Sequence, residues 1–147
     1  MDKLIDGIPI LTAYHPALLA LIILCLSVLV QSFLAGVLGL GKSDEVPGKP
    51  LKGSHSDLSF RILRTYANST ENLSVFAITV FLAITVGVAP SLVNWLAGIH
   101  VVIRLLYWAI YYSGVGKVAG GPRTITYASG WFVNLMLTGA TFIVMLE

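Results

Sequence analysis

Polar side chains recur along one helical face between residues 61 and 72, directly before an apolar run that is typical of a membrane-spanning segment. Each helical residue advances by about 100°, so four of these side chains fall within a stripe roughly 80° wide. The four are Arg61, Arg64, Asn68 and Glu71. Ionisable groups at the mouth of a membrane helix are costly unless something pairs with them, so the stripe is a candidate functional site.

Basic and aromatic side chains share a face in two later segments as well. The members are His100, Arg104, Tyr107 and Tyr111 in one segment, and Arg123, Tyr127, Gly130 and Asn134 in the next. Single residues of these types are explained by snorkelling or by an aromatic belt at the membrane surface. Together with the first stripe, they predict one shared polar site near one surface of the membrane.

Arginines outnumber carboxylates on these three faces. Glu71 can neutralise one guanidinium in a buried ion-pair network that fixes helix registry, but the other arginines then stay in surplus. A ligand with several carboxylates and one amine complements such a site, because the planar guanidinium binds carboxylates through two parallel hydrogen bonds. Glu71 or Asn68 would then receive an ammonium or amide group. A zwitterionic peptide with a net negative charge meets this description.

The composition indicates an integral membrane protein that forms a single bundle. The chain has 147 residues, of which 56% are hydrophobic and 11% charged, whereas a soluble domain carries about a quarter charged residues. The net charge of +2, without a basic cluster and interleaved aromatics, argues against nucleic-acid binding. The single cysteine, Cys25, lies in an apolar run, so neither an intrachain disulfide nor a metal cluster is expected.

Four apolar segments are long enough to span a bilayer, and we predict helices at about 16–40, 57–88, 92–113 and 123–145. Ser56 or Asp57 is predicted to cap the second helix. Gln31 is expected to hydrogen-bond between helices, and His55 to be a solvated residue of the 41–56 loop. Basic residues concentrate in the two long loops, so the positive-inside rule places both loops in the cytoplasm. They are Lys42, Lys49, Lys52, Lys117 and Arg123, against Lys3 on the side of the termini.

The spacing Arg64-x3-Asn68-x2-Glu71 resembles the second-helix signature of the MAPEG family, the membrane-associated proteins in eicosanoid and glutathione metabolism. Two later pairs, Arg104-x6-Tyr111 and Arg123-x3-Tyr127, resemble its other binding elements. The resemblance covers nearly the whole chain. It implies an all-α membrane protein that forms a homotrimer of left-handed four-helix bundles. It also implies glutathione bound between subunits near the cytoplasmic face.

The resemblance assigns binding roles residue by residue. Arg64 and Arg104 would hold the glutathione carboxylates, and Asn68 would hydrogen-bond the peptide. Glu71 would meet the α-amine, and Tyr111 would line the site. Arg61 lies outside the matched motif, so it is expected to contribute from the periphery through its charge.

The same resemblance places Arg123 beside the glutathione sulfur, with Thr124 and Tyr127 as catalytic neighbours that can donate a hydrogen bond to it. The implied activity is that of a glutathione transferase or peroxidase acting on lipophilic electrophiles or lipid hydroperoxides from the bilayer. A non-catalytic lipid-binding or scaffold member of the same fold is the alternative. The expected membrane is the inner membrane in a bacterium and the endoplasmic reticulum in a eukaryote.

Two departures from the family pattern bear on these roles. Catalytic members often carry an arginine late in the first helix, where this chain has Gly39, Gly41 and Lys42. The second-helix motif usually continues to a proline, where this chain has Ser74.

Overall fold

Four long helices make up almost all of the computed structural model, which describes residues 9–39, 52–117 and 119–147. The elements in chain order are α1 (Pro9–Ala13), α2 (His15–Gly39), α3 (Leu58–Val86), α4 (Pro90–Ser113) and α5 (Pro122–Leu146). No strand occurs in these residues. Because α2 to α5 are long and apolar enough to cross a membrane, the predicted all-helical fold with four spans is confirmed.

The spans begin and end within a few residues of their predicted bounds. The largest difference is the turn between α3 and α4, which lies two residues earlier than predicted because Pro90 opens α4 instead of interrupting the turn. Gly87 ends α3 in the left-handed conformation at φ 81°, and its N–H closes the last turn on Ala83 and Ile84. At the start of α3, Asp57 occupies the predicted N-cap position, but its side chain makes no capping hydrogen bond.

The short helix α1 precedes the first span. Polar groups stabilise the break between α1 and α2. Asn94 of α4 donates to the Ala13 carbonyl at 2.9 Å and accepts from the Ala17 N–H at 3.1 Å. The Tyr14 hydroxyl donates to the Val88 carbonyl. The backbone groups freed by the break therefore have partners inside the bundle.

Small side chains let the helices approach closely in the core. Ala17 of α2, Ala83 of α3 and Ala97 of α4 have no exposed surface, and the larger Phe76 and Leu137 fill the space between them. The outer surface is apolar instead, with Leu29 and Phe33 among the most exposed residues, as lipid contact requires. The polar residues of interest lie at the end of the bundle where α3 begins, α4 ends and α5 begins.

Some sequence-based expectations concern residues outside the described ranges. They are the loop residues 41–51, the basic residues Lys3, Lys42 and Lys49, and the Gly41–Lys42 pair that follows the first span.

Candidate functional site

Arg104 and Asn68 join α4 to α3 inside the bundle. The Arg104 Nη2 donates to Asn68 Oδ1 at 2.8 Å and to Ser69 Oγ at 3.3 Å. The guanidinium also lies over the Tyr107 ring, 4.6 Å from its centroid, in a cation–π contact. Only 6% of Arg104 is exposed. Two of the residues singled out by spacing are therefore in direct contact, and Arg104 lies behind Asn68 rather than on the surface.

Arg123 forms the second centre of the site, at the start of α5. Its guanidinium lies 5.0 Å from the centroid of the Tyr111 ring, and only 4% of the residue is exposed. Its Nε and Nη1 atoms are buried and have no hydrogen-bond partner. Among the described residues, no carboxylate lies within ion-pair distance of it. A buried cation without a counter-charge favours the binding of an anion.

His55 belongs to this cluster, although the sequence suggested a solvated loop residue. Its Nε2 is 2.9 Å from the Tyr111 hydroxyl, and its ring packs edge-on against Phe60 with the centroids 5.0 Å apart. Burial lowers the pKa of His55 below its ordinary value, and the positive charges of Arg123, Arg64 and Arg61 lower it further. His55 lies in a loop and stays partly exposed, but its contact with Tyr111 was not predicted, because a loop has no periodicity that reports its tertiary contacts.

Arg61 links the residues just before α3 to the end of α4 through hydrogen bonds. Its Nη1 donates to the carbonyls of His55 and Ser56 at 3.0 and 2.7 Å, and its Nη2 to the Tyr112 carbonyl at 3.3 Å. With three backbone acceptors, the guanidinium holds His55 in place. Its position is peripheral to Arg123, and its contacts are those of a positioning residue.

The remaining residues of the predicted site lie on the outside of the bundle. Arg64, Glu71, Thr124 and Tyr127 are all exposed. The Thr124 Oγ1 accepts a hydrogen bond of 3.1 Å from the Gly120 N–H, which ties it to the preceding loop. Arg64 is close enough to act electrostatically on the Tyr111 phenol. Glu71 makes no ion pair with any described arginine. The site thus has an inner half around Arg104 and Arg123 and an outer half around Arg64 and Glu71.

Two concave regions adjoin these halves. A groove of about 350 Å³ runs between α3 and α5 on the outer surface. Its lining combines polar and apolar side chains: Glu71, Val75, Tyr127, Trp131, Asn134 and Leu135. A second pocket of about 510 Å³ lies at the loop end, with His55 and Arg123 in its wall. Among the described residues, no group of three or more His, Cys, Asp or Glu side chains is arranged to hold a metal ion.

These features define an integral, multi-pass membrane protein whose four-helix bundle carries an arginine-rich polar site at one end. The model of the MAPEG family matches residues 12–143, and the chain therefore belongs to the MAPEG family. That family includes glutathione transferases and peroxidases, together with non-catalytic members. No curated protein and no solved structure matches the chain.

The side chains present fit the functional groups of glutathione. The unpartnered nitrogens of Arg123 and the exposed guanidinium of Arg64 can receive a carboxylate or a thiolate. Glu71, a carboxylate without a described arginine partner, can receive the α-amine. Asn68 is held by Arg104 and lies on the same face of α3, between Arg64 and Glu71. These side chains can therefore receive one carboxylate, the thiolate and the amine of glutathione.

Proposed function

We propose that the protein is a glutathione-dependent membrane transferase, in which the thiolate of glutathione attacks lipophilic electrophiles or reduces lipid hydroperoxides. The single observation that carries this proposal is Arg123, a buried cation with two unpartnered nitrogens next to Tyr111. A protein that used its arginines only for structural ion pairs would supply a carboxylate here. An anionic group of a ligand is the partner that this position lacks.

Glutathione would bind along the face that α3 presents at this end of the bundle. Glu71 would hold the α-amine, Arg64 a carboxylate, and Asn68 the peptide group. Arg104 contributes by fixing Asn68, since its own Nη2 is already bonded to that side chain. Tyr111 would line the inner side and Tyr127 the outer side. Arg61 would support the site through the backbone carbonyls that it binds.

A homotrimer would complete the outer half of this site. Arg64 and Glu71 are exposed although they lie on a membrane-spanning helix, and charged groups so placed are costly when they face lipid. A neighbouring copy of the chain that packs on this face would remove them from lipid and would enclose the glutathione between subunits. The resemblance to the family implies the same arrangement.

Arg123 would activate the thiol by stabilising its ionised form. A free cysteine-type thiol has a pKa of about 8.5, and a cation within a few Å lowers it. Each unit of lowering corresponds to about 1.4 kcal/mol of preferential interaction with the thiolate. Tyr111, Tyr127 or Thr124 would donate a hydrogen bond to the sulfur. In conjugation, the sulfur then forms a bond to the electrophilic carbon while the leaving group departs with its electron pair.

The second substrate would reach the sulfur from the bilayer through the groove between α3 and α5. Val75, Trp131 and Leu135 give this groove an apolar wall, and Tyr127 lies in it close to the start of α5. A lipophilic electrophile that partitions into the membrane can enter there without crossing water. By the positive-inside rule, this end of the bundle would face the cytoplasm, in an inner membrane or the endoplasmic reticulum.

Calorimetric titration of the purified protein with glutathione tests the proposal. We expect saturable binding by the wild type and at least a tenfold weaker Kd in Glu71→Gln, since a charge-assisted hydrogen bond contributes about 1.5–3 kcal/mol. Thr85→Ala is a matched control, because Thr85 is exposed at the far end of α3 and bonds only to its own helix. If the wild type does not bind glutathione in micelles or in bilayers, the proposal is wrong. The non-catalytic lipid-binding or scaffold function would then stand.

A further inference from the structure

A small polar cavity lies inside the bundle between α2, α3 and α4, separate from the pocket beside Arg123. Its volume is about 10 Å³, close to the minimum of roughly 10–15 Å³ that holds one water molecule. The polar side chains around it are Ser27, Gln31, Ser69, Asn72, His100 and Arg104. Gln31 and His100 are 2% and 1% exposed, so the wall of the cavity that they form is buried in the bundle.

Three of the residues that line this cavity each have a buried polar atom without a partner. The atoms are Gln31 Oε1, His100 Nδ1 and Arg104 Nη1. A buried polar atom without a hydrogen bond is destabilising, and three of them around one cavity are unusual for a packed interior. Gln31 of α2 and His100 and Arg104 of α4 therefore each direct an unused hydrogen-bonding atom to this region.

The donor and acceptor types of these atoms are complementary to one water molecule. His100 stacks on Phe76, with the ring centroids 3.9 Å apart, and its ring also interacts with the Gly130 backbone. In the neutral tautomer with the proton on the other ring nitrogen, Nδ1 is an acceptor, as is Gln31 Oε1, whereas Arg104 Nη1 can only donate. A water molecule that accepts one hydrogen bond and donates two satisfies all three atoms.

We propose that this cavity binds a single structural water, which accepts a hydrogen bond from Arg104 Nη1 and donates to Gln31 Oε1 and His100 Nδ1. An anion cannot take this place, because it offers no hydrogen to either acceptor. The water links α2 to Arg104, whose Nη2 in turn holds Asn68. Gln31 is thus a positioning residue for Arg104. The water belongs to the bundle itself and does not depend on glutathione binding.

An experimental structure of the wild-type protein at a resolution that resolves ordered water tests the site directly. We expect one isolated density peak within hydrogen-bond distance of Gln31, His100 and Arg104. A direct bond from Gln31 to another side chain, with no peak between them, would overturn the proposal. Bromide soaking distinguishes an anion from water, because an anomalous signal at this position would mean that the Gln31 amide donates instead.

Substitutions test the coupling that the water provides. Gln31→Met removes the acceptor at nearly constant volume, and His100→Phe keeps a ring against Phe76 but removes Nδ1. We expect the double variant to lose less in Tm than the sum of the two single losses. The lipid-facing control Leu29→Met, on the same helix, should leave Tm unchanged. Strictly additive losses would contradict a shared water.

The positioning role has its own spectroscopic test. In solid-state NMR of the protein in bilayers, the side-chain nitrogens of Arg104 should become more mobile in Gln31→Met. Gln31→Glu, which keeps an oxygen acceptor at this position, should restore their order. Unchanged Arg104 signals in Gln31→Met would show that Gln31 does not position this arginine.

Discussion

The Nη2 atom of Arg104 donates a 2.8 Å hydrogen bond to Oδ1 of Asn68, and this bond joins the middle of α4 to the first half of α3. Both residues are at least nine-tenths buried. The bond satisfies a charged donor inside the membrane-spanning part of the bundle, and it sets the orientation of the Asn68 amide on the face that also carries Arg64 and Glu71.

Asn68→Ala should therefore destabilise the protein. Removal of the acceptor leaves a buried guanidinium with one bond fewer, so we expect the free energy of unfolding to fall by about 1.5–3 kcal/mol. Asn68→Asp, which retains the acceptor, should lose less. Denaturant unfolding in mixed micelles measures both. Ser74→Ala, an exposed position on the same helix, is the control and should stay within about 0.5 kcal/mol of the wild type. A loss in Asn68→Ala no larger than in this control would show that the bond contributes little.

Gly114→Ala should destabilise the end of α4. Gly114 has φ 74°, a conformation that costs an L-residue about 1–2 kcal/mol. An added Cβ would also lie 3.1 Å from the Arg61 guanidinium carbon, so it would press on the residue that holds His55. Gly98→Ala is the matched control within α4, because its Cβ meets no atom within 4 Å and its φ is helical. We expect opposite signs for the two changes, as measured by thermal unfolding; equal effects would exclude the backbone explanation.

The protein should lose stability as the pH falls below the ordinary pKa of His55, near 6.5. Burial and the neighbouring arginines lower the pKa of this residue in the folded state, so the unfolded chain binds a proton first. The loss begins as the pH falls through about 6.5 and levels off below the lowered folded pKa. In His55→Gln this part of the pH dependence should be absent. Unfolding curves between pH 8 and pH 5 give the comparison, and identical pH profiles would contradict the placement of His55.

Hydropathy and length predicted the four spans closely because a bilayer forces the backbone into complete helices. The helical stripes also brought Asn68 and Arg104 to the same interior, where they are bonded. The periodicity defines a shared face along one helix. It does not determine which neighbour that face meets, and so Glu71 was considered as a partner for an arginine although it lies on the outer surface.

Contacts that involve the backbone or a loop were not predictable in this way. Arg61 donates to three backbone carbonyls. Every residue has such a carbonyl, so a sequence pattern cannot identify these partners. His55 reaches Tyr111 across a sequence separation of 56 residues, from a loop without periodicity. The α1–α2 break depends on Asn94, whose partners are also backbone groups.

Thiol activation by Arg123 is tested most directly by the ultraviolet absorbance of the thiolate when glutathione binds at a pH at which the free thiol is protonated. We predict that the wild type shows the thiolate band. Arg123→Gln should bind glutathione with a similar affinity but without the band, and should not conjugate a model aryl halide. Lys117→Gln, which removes an exposed cation from the neighbouring loop, should behave as the wild type. Equal thiolate bands in the wild type and Arg123→Gln, or none in the wild type with glutathione bound, would contradict the proposed role.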